Sequence, residues 1–103
     1  MATESDSERL QYETVAAGQT AQVIGGNGAV GDYLSHVVLQ PAAVAAGTTT
    51  ILDGSTVIFT YTAGTLSDLG PRTVPIGARS VSGPWKITTG ANMAAIAFGK
   101  FTT

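Results

Sequence analysis

Residues 48–61 read TTTILDGSTVIFTY, two runs rich in Thr, Val, Ile and aromatics on either side of Asp53-Gly54. An Asp-Gly pair between such runs is a hairpin signal. The turn that matches strand twist needs positive φ at both central positions, which Asp and Gly tolerate. The expected register sets Leu52 opposite Ser55 and Ile51 opposite Thr56. In the second run Val57, Phe59 and Tyr61 share a face. A hairpin here argues for an all-β domain, and the flanking sequence follows the same grammar.

On the N-terminal side, residues 33–40 (YLSHVVLQ) form a strand, with Tyr33, Ser35, Val37 and Leu39 on one face and Leu34, His36, Val38 and Gln40 on the other. The competing reading, a short helix capped by Asp32 and ended by Pro41, conflicts with the strand preference of Tyr33, Val37 and Val38. Before it lie strands at 10–15 (LQYETV) and 20–24 (TAQVI), then the glycine break 25–31 (GGNGAVG). Residues 1–9 (MATESDSER) have no apolar period and read as an extended arm preceding a sandwich domain at 10–103. On the C-terminal side, the loop 63–71 (AGTLSDLGP) places Leu66 and Leu69 against the core or a neighbouring subunit. A short strand follows at 72–77, where Pro75 cannot donate to a ladder and so requires an edge or a bulge, and residues 78–82 continue extended. Strands at 85–88 and 93–101 close the chain; in the last, Ala94, Ile96 and Phe98 form an apolar row and Met93, Ala95, Ala97 and Gly99 a row of small side chains. About eight short strands at roughly ten-residue intervals suggest an antiparallel jelly roll or related β-sandwich.

Composition narrows the function classes. Of 103 residues only 12% are charged, and the net charge is −2. A domain with so little charge is suited to a surface partly covered by copies of itself or by a partner. No Lys/Arg cluster marks a nucleic-acid footprint. The absence of cysteine excludes disulfides, thiolate metal sites and cysteine nucleophiles. No apolar run is long enough to predict a membrane-spanning helix. The charges are uneven: Glu4, Asp6, Glu8 and Glu13 outweigh Arg9 at the start, whereas Arg72, Arg79, Lys86 and Lys100 stand alone beyond Asp68. The arm residues Glu4, Asp6, Glu8 and Arg9, together with Leu66, Leu69 and Trp85, are the candidate partner contacts.

No constellation demands a reaction. Gly26–Gly31 (GNGAVG) fits G-x-G-x-x-G, and Asp53 lies where a ribose-binding acid is sought, but that motif needs a helix after it and a parallel βαβ unit around it. The residues that follow read as a strand, so a glycine turn is the preferred account. His36 is the only histidine. Ser35 and His36 are adjacent on a strand and are expected to point to opposite faces, which excludes a direct nucleophile–base pair. Asp32, Asp53 and Asp68 lie near turns, where Asp serves the backbone; they form neither a carboxylate pair nor a calcium loop. No cofactor and no enzymatic activity is expected. Trp85, Tyr33, Tyr12 and Tyr61 are either core or a sugar platform, and Trp85 beside the Ser82-Gly83-Pro84 turn is the one place for an exposed ring.

Residues 25–41 (GGNGAVGDYLSHVVLQP) and 71–99 (PRTVPIGARSVSGPWKITTGANMAAIAFG) carry a resemblance. Gly28-x-x-Gly31-Asp32-Tyr33-Leu34, the turn Ser82-Gly83-Pro84-Trp85, and Thr88-Thr89-Gly90 before an alanine-rich strand resemble the head decoration, or cement, proteins of tailed bacteriophages. That resemblance implies a compact β domain, a homotrimer on the outer surface of the virion capsid, with the major capsid protein as partner. Its implied role is to stabilise the head by bridging capsid subunits. The alternative is a carbohydrate- or receptor-binding module of a phage fibre, neck or tail.

Overall fold

The computed structural model describes residues 10–43, 46–62 and 70–103. They form eight strands and no helix: β1 (Gln11–Val15), β2 (Gln22–Val23), β3 (Tyr33–Pro41), β4 (Thr49–Asp53), β5 (Thr56–Tyr61), β6 (Arg72–Arg79), β7 (Trp85–Thr88) and β8 (Met93–Lys100). Two antiparallel four-stranded sheets result, ordered β1-β8-β3-β6 and β2-β7-β4-β5. The pairings nest: β4 with β5, β3 with β6, β2 with β7, β1 with β8. The domain is thus one long hairpin, folded over on itself, whose tip is the turn between β4 and β5. β3·β8 and β4·β7 then knit each half of the fold into a sheet.

The tip differs from the expected register by one residue. Asp53 pairs with Thr56 and Leu52 with Val57, so the two-residue loop is Gly54-Ser55. Gly54 has φ +62° while Ser55 stays at negative φ, as in a type II′ turn. The physical reason lies at Asp53. Its carboxylate accepts the N–H groups of Val81 (2.9 Å), Ser82 (3.0 Å) and Gly83 (3.2 Å), which holds it buried in the strand rather than in the turn.

Two bulges change which side chains share a face. On β5 the register shifts after Ile51, leaving Ile58 as an extra residue. Val57 then pairs with Leu52 and Phe59 with Ile51, so Val57 does not share a face with Phe59 and Tyr61 as expected. On β3 the register shifts between Leu34 and His36. Leu34, Val37, Leu39 and Pro41 are buried while Tyr33, Ser35, His36, Val38 and Gln40 are not. The two expected faces of this strand are therefore mixed at Ser35. β6 carries its own extra residue opposite Ser35, next to Pro75 and Gly77 (φ +64°), and is an edge strand. Pro75 thus sits both at an edge and beside a bulge.

The core lies between the sheets. Leu34, Val37, Leu39, Val74, Met93, Ala95 and Ala97 from one sheet cluster with Ile51, Trp85 and Ile87 from the other, and with Val15, Ile24 and Phe101. Each fully buried Ile or Leu contributes about 1.5–3 kcal/mol. The small-residue row of β8 faces inward, where Ala95, Ala97 and Gly99 make room for the large side chains opposite. β2 is shorter than the expected 20–24, and Ala21 has φ +48°. β6 runs to Arg79, so the extended conformation expected after 72–77 continues the same strand.

Candidate interaction surface

Three carboxylates, Asp32, Asp53 and Glu13, are committed to the scaffold. Asp32 caps the end of the sandwich where the glycine break meets the C-terminus. Its carboxylate accepts the Thr102 hydroxyl (2.7 Å), the Thr102 N–H (2.9 Å) and the Ala29 N–H (3.1 Å). Burial raises the Asp32 carboxyl, but these hydrogen bonds outweigh it and hold its pKa below the ordinary value. The Asp32 carbonyl accepts the Trp85 indole N–H at 2.9 Å and the Ser80 N–H at 2.9 Å. Trp85 is 2% exposed, so its ring offers a partner no surface; the turn before it does not expose the indole. The G-x-G-x-x-G match is a packed loop followed by β3. A Cβ on Gly25 would stand 2.5 Å from the Thr102 carbonyl oxygen, and one on Gly28 2.6 Å from that of Ile24.

Glu13 accepts the Gly25 N–H and the Gln22 side-chain amide, both at 2.7 Å. Asp53 is committed to the 81–83 backbone. Among the described residues no group of three His, Cys, Asp or Glu could hold a metal ion. Thr49 buries its hydroxyl, which has no hydrogen-bond partner among the described residues.

Ser35 and His36 do meet. The bulge turns both to the outer face, and Ser35 Oγ lies 3.0 Å from His36 Nδ1, contrary to the alternation expected of a regular strand. The imidazole stacks on Phe98, with centroids 4.6 Å apart and planes 12° from parallel. Phe98 in turn contacts Tyr12 at 6.3 Å. The register explains this row: Tyr12 pairs with Phe98, Phe98 with His36, and His36 with Pro75. The next row in is Thr14, Ile96, Val38 and Thr73. The outer face of the β1-β8-β3-β6 sheet is thus a band of aromatic and β-branched side chains, with Tyr12 69% exposed. β1 contributes to it because its Glu13 side points toward the sandwich edge and its Tyr12 side points out.

The second surface is β5. Val57 is 55%, Ile58 46% and Phe59 37% exposed, and no residue of this strand is fully buried. No charged residue occurs between Asp53 and Asp68.

Of the candidate contact residues, Glu4, Asp6, Glu8, Arg9, Leu66 and Leu69 lie outside the described residues. The sequence reading missed the Tyr12–Phe98–His36 row, because only the β3 bulge brings His36 outward beside Phe98. Comparison with protein-family models, with curated proteins and with solved structures found no match for this chain.

Proposed function

We infer that the chain is a virion structural protein, a capsid decoration protein of the tailed-phage type that stabilises a shell by bridging its subunits. The observation that carries this reading is the contrast between interior and surface. Asp32, Asp53 and Glu13 are engaged by scaffold hydrogen bonds, while Tyr12 on one sheet face and Val57, Ile58 and Phe59 on one edge strand present apolar surface, beside the scattered exposed side chains of Val23, Val30 and Val81. A protein that works by binding needs such surfaces and no reactive centre. The nested strand order supports the jelly-roll form of the sandwich, in which two Greek keys wrap around one core. Many copies, each with a modest interface, make a shell hard to open through multivalency. The buried Trp85 ring withdraws its support from the glycan-binding alternative.

The test is co-sedimentation of the purified protein with capsids of the source phage that lack it. Saturable binding that Phe98→Lys weakens, with the fold kept, supports the reading. No binding at any concentration contradicts it.

A further inference from the structure

We propose that β5 is a dimerisation edge, at which two copies of this chain pair antiparallel and join their β2-β7-β4-β5 sheets into one continuous eight-stranded sheet. The inference stands whether or not the chain decorates a capsid. It starts from the four sheet edges among the described residues. A free edge invites strand pairing, and proteins blunt edges by short strands, inward-pointing charge, proline or bulges. β2 is two residues long. β1 carries Glu13, whose carboxylate reaches across to Gly25 and Gln22. β6 has Pro75, a bulge, and Arg72 and Arg79 at its ends. β5 has six residues, no proline and no charge, and its only irregularity is the extra residue Ile58.

The composition of β5 selects the occupant. An interface between two identical copies places a strand against itself, residue i opposite j and j opposite i, so a charge near the two-fold axis faces its own copy. β5 (TVIFTY) holds only Thr, Val, Ile, Phe and Tyr. In every antiparallel register each opposing pair is therefore β-branched or aromatic on both sides, the kinds of cross-strand pair that stabilise sheets. On β1 the same operation brings the two Glu13 carboxylates together when the axis lies near them, and on β6 it sets Arg72 opposite Arg79 in full register. The charge-free stretch continues on both sides of β5, from Gly54 to Ser67, so the flanks add no repulsion. The acidic, polar arm 1–9 matches this edge poorly, which argues against an exchanged arm as its cover. The resulting symmetry is two-fold, in place of the three-fold arrangement implied by the resemblance.

The experiment is sedimentation equilibrium on the full chain from low micromolar concentration upward, paired with amide hydrogen exchange at each concentration. A monomer–dimer equilibrium is expected, with β5 amides protected only where dimer is populated. Ile58→Lys sets two ammonium groups near the two-fold axis and weakens the dimer by about tenfold or more. Val57→Lys does the same if Ile58→Lys fails to fold. Val81→Lys, at an exposed loop position, leaves the equilibrium unchanged. A chain that stays monomeric, a trimer, β5 amides protected equally at every concentration, or a dimer indifferent to both β5 lysines overturns the proposal.

Discussion

At the scale of single residues, three buried polar groups have opposite consequences. Asp53 satisfies three backbone donors of the 81–83 turn, so Asp53→Ala leaves them without their acceptor. A loss of about 3 kcal/mol is expected by urea unfolding, because unsatisfied buried donors cost more than a net hydrogen bond contributes. Asp32 has its pKa depressed in the fold, so its stabilisation is complete above the unfolded value of about 3.9 and disappears as pH falls through the lower folded value. Unfolding midpoints measured from pH 7 down to pH 2 are expected to fall below about pH 4 in the parent, with a shallower fall in Asp32→Asn; parallel curves contradict this role. Thr49 is the reverse case: its buried hydroxyl lacks a partner among the described residues, so isosteric Thr49→Val is expected to stabilise by about 1 kcal/mol in the same assay. None of these roles was legible in the sequence. Asp53 reads as a turn residue because Asp-Gly is a turn pair, and nothing nearby announces that residues 81–83 will bring it three donors.

At the scale of elements, all eight strands were readable, since alternation and turn residues are local signals. What alternation does not contain is the bulge. One extra residue reverses the parity of everything beyond it. This is why Val57 and Phe59 part company, and why Ser35 and His36 share the outer face. The edge position of β6 was legible from Pro75 because proline's missing donor acts locally. The exposure of β5 was not, because its apolar pattern is what a buried central strand also shows. The hairpin tip gives an element-level prediction. At Gly54→Ala, φ +62° and backbone atoms of Ser82 at 3.0 Å from the new Cβ act together. The expected loss is about 2 kcal/mol in thermal unfolding, from left-handed strain plus crowding. A change within a few tenths of a kcal/mol would show the tip to be more pliable than its contacts suggest.

At the scale of the whole molecule, a single folded hairpin leaves its tip strand at the outer edge of one sheet and its two ends on the other. The nested pairings around Gly54-Ser55 produce that separation. They put β5 and the Tyr12–Phe98–His36 face on different sheets, so one molecule has two distinct surfaces with which to touch neighbours. A shell-bridging protein needs two such surfaces. The central claim, that the chain is a structural component of a phage head, is tested most directly by its copy number in purified particles. The measurement is quantitative mass spectrometry of the particle, with the main shell protein as internal standard. Hundreds of copies per particle are predicted, in a fixed ratio to the shell protein; a dozen copies, or none, contradict the claim.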